Sequence, residues 1–267
     1  MHTTASDGML SPTALVDAAA AAGLTTISVT DHDTVAGLAE ARAAAERHGL
    51  TFIDGIELTA VEQERDVHVL GYGFDPADSG LAAFLKRQRE DRVRRVRAIT
   101  ERLAAAGARI DPEPILRLVL VEGRSVGRPH VAAALVAAGH VQTSNEAFDR
   151  YLGRGCPGFV ARVGASAADV VRSVRAAGGW CSLAHPGLTR MDELIPGLAA
   201  AGLTALEARH SDHDPSTEEK YRRMAATLGL LVTGGSDFHG DPSHDRGGLG
   251  SVTLPAADFR LLMPARR

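Results

Sequence analysis

The sequence predicts an α/β protein in which helices cover a parallel sheet and a helical insertion interrupts the fold. Strands and helices alternate through the first 80 residues or so and again after residue 165. The segment between them has helical patterns without a convincing strand. The length of 267 residues also suits a closed α/β barrel, for which about 250 residues is typical.

The first part of the chain, residues 1–79, is punctuated by capping residues and glycines. Ser11 and Pro12 have the N-cap and first-turn positions of a helix, and Gly23 and Gly49 end two helical patterns. The predicted elements are a helix over 11–22, a strand over 24–30, a helix over 35–48, and strands over 50–53 and 66–72.

The remaining chain divides into an insertion over 80–164 and a second α/β part over 165–267. Helices are predicted in the insertion over 80–107, 112–120, 129–138 and 144–152. In the second part helices are predicted over 168–177, 191–201 and 215–228, with strands over 180–184, 203–208 and 230–233.

Composition excludes several classes of protein. No stretch of about 18 apolar residues is present, so no membrane partner is expected, and MHTTASDG lacks the features of a secretory signal. Cys156 and Cys181 fit no disulfide pattern, which favours a cytoplasmic location. The net charge of −4 argues against binding duplex DNA, but it permits a small phosphorylated substrate. The sequence defines no oligomeric state.

Polar residues recur where predicted strands end, and His68 lies within its own strand. In parallel α/β folds the carboxyl ends of strands build the active site. Each residue alone also suits an ordinary role, such as a helix N-cap for Asp31-His32-Asp33 or a turn for Gly-Ser-Asp. Recurrence at several strand ends instead favours metal ligands. These residues are Asp31, His32, Glu57, His185, Asp237 and His239.

Six short motifs resemble, in order, those of the PHP (polymerase and histidinol phosphatase) superfamily. They are MHTTASDG, TDHDTVAG, GIEL, DVHVLGYG, AHPG and GGSDFHG. The segments GRPHVAAALV and GLGSVTLP further resemble the branch that contains 3',5'-nucleoside bisphosphate phosphatases and 5'→3' exoribonucleases.

The resemblance implies a distorted (β/α)7 TIM-like barrel with a small helical insertion and a cluster of two or three divalent ions at its rim. His2, Glu57 and Asp237 would hold one ion, and Glu57 would bridge to a second. The other implied ligands are His68 and His185 for the second ion, and Asp7, His32 and His239 for the third. Mn²⁺ is the expected metal, while Fe²⁺ or Zn²⁺ also suit such ligands.

The family's first motif is normally Asp-x-His-x-His, and MHTTASDG supplies only its final histidine. Two explanations stay open. Either the natural chain continues upstream of Met1, or the chain begins here and its first metal site is weakened.

The implied reaction is hydrolysis of a phosphate ester of a nucleotide or a short RNA by a metal-activated water. Glu57, Asp237, His239 and His32 are the residues assigned to catalysis through the ions. Arg128 and His130 of GRPH and His210 are expected to bind substrate, although a surface loop capping the helix over 129–138 would also explain GRPH. Asp31 and Asp33 either orient His32 or, for Asp33, cap a helix.

A basic run over residues 86–97 has two interpretations: a solvated helix with ion pairs, or a guide for an oligonucleotide. Two functions compete with the nucleotide phosphoesterase. One is histidinol-phosphate phosphatase, and the other is a non-catalytic PHP module that binds or supports a partner.

Overall fold

A six-stranded sheet forms the centre of the computed structural model, which describes residues 1–242 and 245–262 apart from the side chains of residues 121 and 122. The strands lie in chain order across the sheet. They are β1 (Thr26–Val29), β2 (Thr51–Glu62), β3 (Arg65–Tyr72), β4 (Trp180–Leu183), β5 (Ala205–His210) and β6 (Leu231–Gly235).

The sheet is mixed, so the prediction of a parallel sheet was wrong at β3. This strand pairs antiparallel with both β2 and β4, whereas the remaining neighbours are parallel. The cause is the two-residue turn Gln63–Glu64, in which both residues have positive φ angles of 48° and 60°. Such a turn makes a hairpin and is too short for a parallel crossover.

Strand β2 is longer than predicted. It continues from Thr51 to Glu62 and places Glu57 in its middle, opposite Leu70 of β3. The sequence had suggested that Glu57 follows the end of a strand, but in the structure Glu57 lies inside β2. It enters the site because a parallel bridge joins it to His32, directly after β1.

The helices cover the sheet and build the insertion. The helix predicted from residue 35 begins at Leu38, after Gly37 at its N-cap. A π-helical turn follows α6 at Phe148–Leu152, and a 3₁₀ turn precedes α9 at Asp192–Leu194. The helices are α1 (Pro12–Ala21), α2 (Leu38–Arg47), α3 (Ser79–Ala105), α4 (Glu113–Glu122), α5 (Arg128–Ala137), α6 (Ser144–Ala147), α7 (Ala167–Ala176), α8 (Pro186–Thr189), α9 (Ile195–Ala200), α10 (Pro215–Leu228) and α11 (Ala256–Leu262).

Helix α3 belongs to two apolar clusters. Leu81, Phe84 and Leu85 near its start pack in the cluster under the sheet, while Ile99 and Leu103 near its end pack with α4 and α5. The 27-residue helix thus joins the insertion to the sheet. Among the described residues, no helix combines the length and the apolar composition that a membrane span needs.

Strands β1 and β6 are the two edges of the sheet. The first residues of the chain lie between the segment that follows β1 and the segment that follows β6. Met1 O accepts a hydrogen bond from Thr30 N at 2.9 Å, and His2 N donates to Phe238 O at 2.8 Å. A cavity of about 440 Å³ lies inside the sheet, lined by residues of both edges. The architecture is thus an α/β fold with a curled six-stranded half-barrel.

Candidate metal centre

His2 sits between two carboxylates at the rim of the half-barrel. Its Nε2 atom is 3.0 Å from Glu57 Oε2 and 3.0 Å from Asp237 Oδ1. Glu57 comes from the middle of β2 and Asp237 from the loop after β6, so strands far apart in the sheet supply the ligands around His2. One oxygen or nitrogen from each lies close enough to the others to share a metal ion.

Glu57 uses its two carboxylate oxygens toward different imidazoles. Oε1 is 2.7 Å from His68 Nδ1 and 3.2 Å from His185 Nε2. Oε2 faces His2 and lies 3.9 Å from His32 Nδ1. A carboxylate placed between two groups of ligands in this way is suited to bridge two ions.

Asp7 forms the third group. Its oxygens lie 3.6 Å from His239 Nε2, 3.7 Å from His2 Nδ1 and 3.8 Å from His32 Nε2. The His2 and His239 rings stack with 4.2 Å between their centroids. These distances are longer than hydrogen bonds, and they leave space at the centre of the group for an ion.

Several donor atoms at the centre are buried without a hydrogen bond. Buried polar atoms are normally hydrogen-bonded, so buried atoms left unfilled among several possible ligands favour metal binding here. Among the described residues, imidazoles and carboxylates make up the donor set, which suits Mn²⁺, Fe²⁺ or Zn²⁺. The unfilled atoms are His2 Nε2, Asp7 Oδ1, His32 Nδ1, His185 Nδ1 and His210 Nε2.

The carboxylates of the centre raise the pKa values of two imidazoles. Burial alone would lower the pKa of His2, but the contacts with Asp237 and Glu57 outweigh it and raise this pKa to about 10. Glu57 likewise outweighs burial at His185 and raises its pKa to about 9. A metal ion binds the unprotonated ring, so metal binding at neutral pH would displace these protons.

His32 behaves differently, because burial lowers its pKa to about 3 against the attraction of Asp7 and Glu57. Its ring is therefore neutral at pH 7 and offers a lone pair. The surrounding imidazoles also keep the pKa of Glu57 and of Asp237 well below the ordinary range, although burial acts in the opposite direction. Both groups are anionic ligands across the neutral range.

Three residues at or next to the centre have the left-handed backbone conformation that side chains rarely adopt. The φ angles are 50° for Asp33, 27° for His185 and 49° for Asp237. Each such conformation costs about 1–3 kcal/mol and persists only where the surrounding structure imposes it. Here the strained positions turn His185 and Asp237 into the centre directly after β4 and β6.

A second layer of polar groups holds the ligand-bearing loops. Asp31 accepts hydrogen bonds from Thr3 N at 2.7 Å, Thr3 Oγ1 at 2.7 Å and Ser6 Oγ at 2.6 Å. It thus holds the loop that carries His2 and Asp7. Glu207 Oε2 accepts a hydrogen bond from His185 N at 2.8 Å and holds the opposite side.

Asp33 does not cap a helix, because α2 begins after Gly37. Its carboxylate accepts hydrogen bonds from Thr59 N at 2.9 Å and from Arg92 Nε at 2.7 Å. Asp33 therefore joins β2 to α3 instead of capping α2, and this contact positions the insertion beside the centre.

The predicted substrate residues lie around the centre at different distances. His210 is nearest, with Nε2 3.9 Å from Asp237 Oδ2. His130 is close enough to Asp7 for their charges to interact, and burial lowers its pKa. Arg128 is further out at the start of α5, with Nη2 3.7 Å from Asp66 Oδ2.

Sequence reasoning missed Arg92 and Glu207. Arg92 belongs to the basic run, which also forms exposed pairs such as Lys86–Glu90 and Arg94–Asp91. Its position gave a signal, because it continues the buried face of α3 that includes Gln88 and Val96 at helical spacing. Glu207 lies inside a buried strand with no pattern that marks it.

The comparisons with known proteins agree with this geometry. A family model described as "PHP domain" matches residues 1–125. The chain is similar to a protein named 3',5'-nucleoside bisphosphate phosphatase from Chromobacterium violaceum, with 38% identity over 243 residues that cover 89% of this chain and 85% of the relative. It is also 34% identical to a protein named 5'-3' exoribonuclease from Haemophilus influenzae, covering 89% of this chain and 88% of that one.

A solved structure shares the whole fold. A protein from Bifidobacterium adolescentis, described as a metal-dependent phosphoesterase, superposes with a TM-score of 0.88 at 35% identity. The similarity covers 99% of this chain and 94% of that structure.

Proposed function

Since the chain belongs to the PHP domain family of metal-dependent phosphoester hydrolases, we propose that it removes the 3'-phosphate of nucleoside 3',5'-bisphosphates and shortens small RNAs from the 5' end. The convergence of His2, Glu57 and Asp237 with the imidazoles of His68 and His185 carries this proposal. Such a rim supports metal-dependent hydrolysis.

The residues fit two or three divalent ions, with Mn²⁺ as the expected metal. His2, Glu57 and Asp237 would hold one, His68 and His185 would join Glu57 at a second, and Asp7, His32 and His239 would hold a third. Bound there, the ions would lower the pKa of a water molecule and neutralise the phosphoryl oxygens of the ester.

The chain's own residues supply orientation and protons. His210 Nδ1 accepts a hydrogen bond from Asp212 N at 3.1 Å, so the neutral ring carries its proton on Nε2 and directs it toward Asp237. Because Asp237 Oδ2 is 3.9 Å away, beyond hydrogen-bond distance, that N–H would be available to a phosphoryl oxygen of a substrate bound beside Asp237. Glu207 and Asp31 keep the loops on both sides fixed during the reaction.

The substrate class rests on two supports. Relatives that align with nearly the whole chain are named for a nucleoside bisphosphate and for RNA. Arg128 and His130 lie in the first turn of α5, where a guanidinium and the start of the helix can hold a second phosphate.

A phosphate-release screen tests the proposal. The Mn²⁺-loaded protein is offered adenosine 3',5'-bisphosphate, a 5'-phosphorylated trinucleotide and histidinol phosphate at equal concentration. We expect the bisphosphate and the trinucleotide to be hydrolysed with kcat/KM at least about 100-fold above that of histidinol phosphate, a ratio worth about 2.7 kcal/mol of transition-state binding. Preference for histidinol phosphate would reject the nucleotide assignment while leaving the hydrolase in place.

A further inference from the structure

The turn after β4, which carries His185, is held by a histidine from the loop after β5. The Nε2 atom of His213 accepts a hydrogen bond from Gly187 N at 3.1 Å. The Nδ1 atom of the same ring lies 2.8 Å from Ala208 O in β5. One imidazole thus joins the turn after β4 to the neighbouring strand of the sheet.

These two contacts determine which nitrogen of the His213 ring carries the proton. A backbone N–H can only donate, so Nε2 offers the lone pair, and a carbonyl oxygen only accepts, so Nδ1 carries the proton. Burial lowers the pKa of His213, which keeps the ring neutral at pH 7. Since both nitrogens are used by the backbone, His213 offers no ligand atom to an ion.

The turn after β4 depends on an external partner because its backbone is strained. His185 has φ 27° and ψ 58° and is the N-cap residue of α8. Helix α8 has only four residues, and Pro186 at its start has no N–H group. The first backbone N–H after His185 is therefore that of Gly187, and His213 binds it.

Gly187 allows the imidazole to approach the backbone of the turn. A Cβ atom at this position would lie 2.7 Å from His213 Nε2, 2.8 Å from His213 Cδ2 and 2.9 Å from Thr217 Cγ2. These distances are shorter than van der Waals contact, for which about 3.5–4.0 Å between carbon atoms is optimal. A larger residue at position 187 would therefore displace the ring.

Packing against α10 orients the His213 ring. The ring stacks on Tyr221, with 5.6 Å between the centroids and 28° between the planes. Tyr221 is 1% exposed, and its hydroxyl donates a hydrogen bond to Asp192 Oδ1 at 2.8 Å. Asp214, directly after His213, caps α10 by accepting a hydrogen bond from Thr217 N at 2.8 Å. These contacts hold the imidazole without using a predicted metal ligand.

His185 relates this turn to the metal centre. Its Nε2 atom lies 3.2 Å from Glu57 Oε1, and its backbone N donates a hydrogen bond to Glu207 Oε2 at 2.8 Å. Glu207 thus restrains His185 itself, and His213 restrains the backbone two residues later. The two restraints together determine where the turn directs the His185 imidazole.

We propose that His213 is a positioning residue, which holds the turn after β4 so that His185 reaches Glu57, and which thereby sets the affinity of the centre for its second ion. This inference rests on the metal centre of the proposed function. It concerns the binding of the ion and is independent of the choice of ester.

Calorimetric titration with Mn²⁺ tests the proposal. His213→Phe keeps a ring that can stack on Tyr221 and removes both hydrogen bonds, so the affinity for one ion should fall about 10- to 100-fold. His213→Gln should recover part of this loss, because its amide again offers one donor and one acceptor. His48→Phe, at an exposed histidine that contacts Asp17, is the control and should leave the titration unchanged.

A double-mutant cycle with His185 separates positioning from a general loss of structure. In the His185→Ala background, His213→Phe should change the affinity for the remaining ions by less than about twofold, because the ring that it positions is already absent. Urea unfolding of each variant shows that it is folded. A further tenfold loss in the His185→Ala background, or full affinity in His213→Phe alone, would overturn the positioning role.

Gly187→Ala tests the same contact from its other side, and it replaces His213→Phe if that variant does not fold. The added methyl group would displace the imidazole, so Mn²⁺ affinity should fall about as far as in His213→Phe. The double variant should lose no more than either single variant, within about twofold, and additive losses would contradict the proposal. Gly197→Ala in α9, where a Cβ would meet no atom within 4 Å, is the matched control.

The titration contains no substrate, which separates this proposal from the proposed function. If His213→Phe binds Mn²⁺ with unaltered affinity while adenosine 3',5'-bisphosphate is still hydrolysed, the positioning role is rejected and the hydrolase assignment stands. If the affinity falls as expected in a protein that prefers histidinol phosphate, the positioning role is supported and the nucleotide assignment is rejected.

Discussion

The Nε2 atom of His2 lies 3.0 Å from Glu57 Oε2, although one residue belongs to the first loop of the chain and the other to the middle of β2. This contact is possible because the sheet curls and so brings the first loop of the chain next to the middle of β2. Glu57 also contacts His68 and His185 through its other oxygen. The convergence of all these ligands thus depends on one carboxylate, whose side chain is 2% exposed.

The substitution Glu57→Gln is expected to remove metal and activity together. An amide offers one acceptor oxygen where the carboxylate offers two, and its NH₂ group faces the ions. We expect the Mn²⁺ content measured by mass spectrometry to fall by at least one ion per chain, and kcat/KM to fall at least about 100-fold. Glu64→Gln, at an exposed position in the turn after β2, is the control; full metal content in Glu57→Gln would contradict the bridging role.

Asp31 is expected to act through the loop it holds. Asp31→Asn replaces one of the two acceptor oxygens that bind Thr3 and Ser6 with a donor. The loop with His2 and Asp7 should loosen, and affinity for the weakest-bound ion should fall about 10- to 100-fold. Mn²⁺ titration followed by calorimetry measures the change. Asp17→Asn, at an exposed position of α1, should leave the titration unaltered. An unchanged curve for Asp31→Asn would exclude the positioning role.

Much of the fold could be predicted from the sequence because its helices carry local signals. Ser11 accepts a hydrogen bond from Ala14 N at the start of α1, as its N-cap position indicated. The reversal at β3 could not be predicted in this way, because Gln63–Glu64 lacks the glycine or asparagine that usually marks a tight hairpin. The extension of β2 through Glu57 follows from that hairpin.

The site was predictable to a similar extent, and for a different reason. Histidines and carboxylates at strand ends indicate a rim, and the structure brings His32, His185 and Asp237 together there. The partners of Asp33 depend on how the insertion packs. Arg92 reaches it from α3, across a contact between segments far apart in sequence, and no local pattern specifies such a contact.

The buried pair of Asp33 and Arg92 should make stability depend on acid. Arg92 and Arg162 lower the pKa of Asp33 against the effect of burial. A carboxyl whose pKa is lowered by folding adds stability above its unfolded value, about 3.9, and loses it as pH falls through the folded value. We therefore expect this contribution to be complete at pH 7 and to decline below about pH 4.

Asp33→Asn tests that contribution directly. It leaves the Arg92 charge buried without a counter-ion, and the free energy of unfolding at pH 7 should fall by about 3–5 kcal/mol. Urea unfolding at pH 7 and at pH 3.5 measures both proteins, and the difference between them should shrink at the lower pH. Asp75→Asn, outside the pair, is the control. A difference that is equal at both pH values would mean that the pair does not titrate as described.

Arg128 is expected to bind substrate without holding metal. Its guanidinium lies over the Phe148 ring at 5.7 Å and 3.7 Å from Asp66, away from the ligand atoms of the metal centre. Arg128→Ala should therefore raise KM for adenosine 3',5'-bisphosphate at least about tenfold and leave the Mn²⁺ content unchanged, since it removes a charged hydrogen-bond donor to phosphate. Arg150→Ala, in the same insertion, should change neither. A loss of metal in Arg128→Ala would show that Arg128 supports the centre itself, whereas unaltered kinetics would exclude it from the path of the substrate.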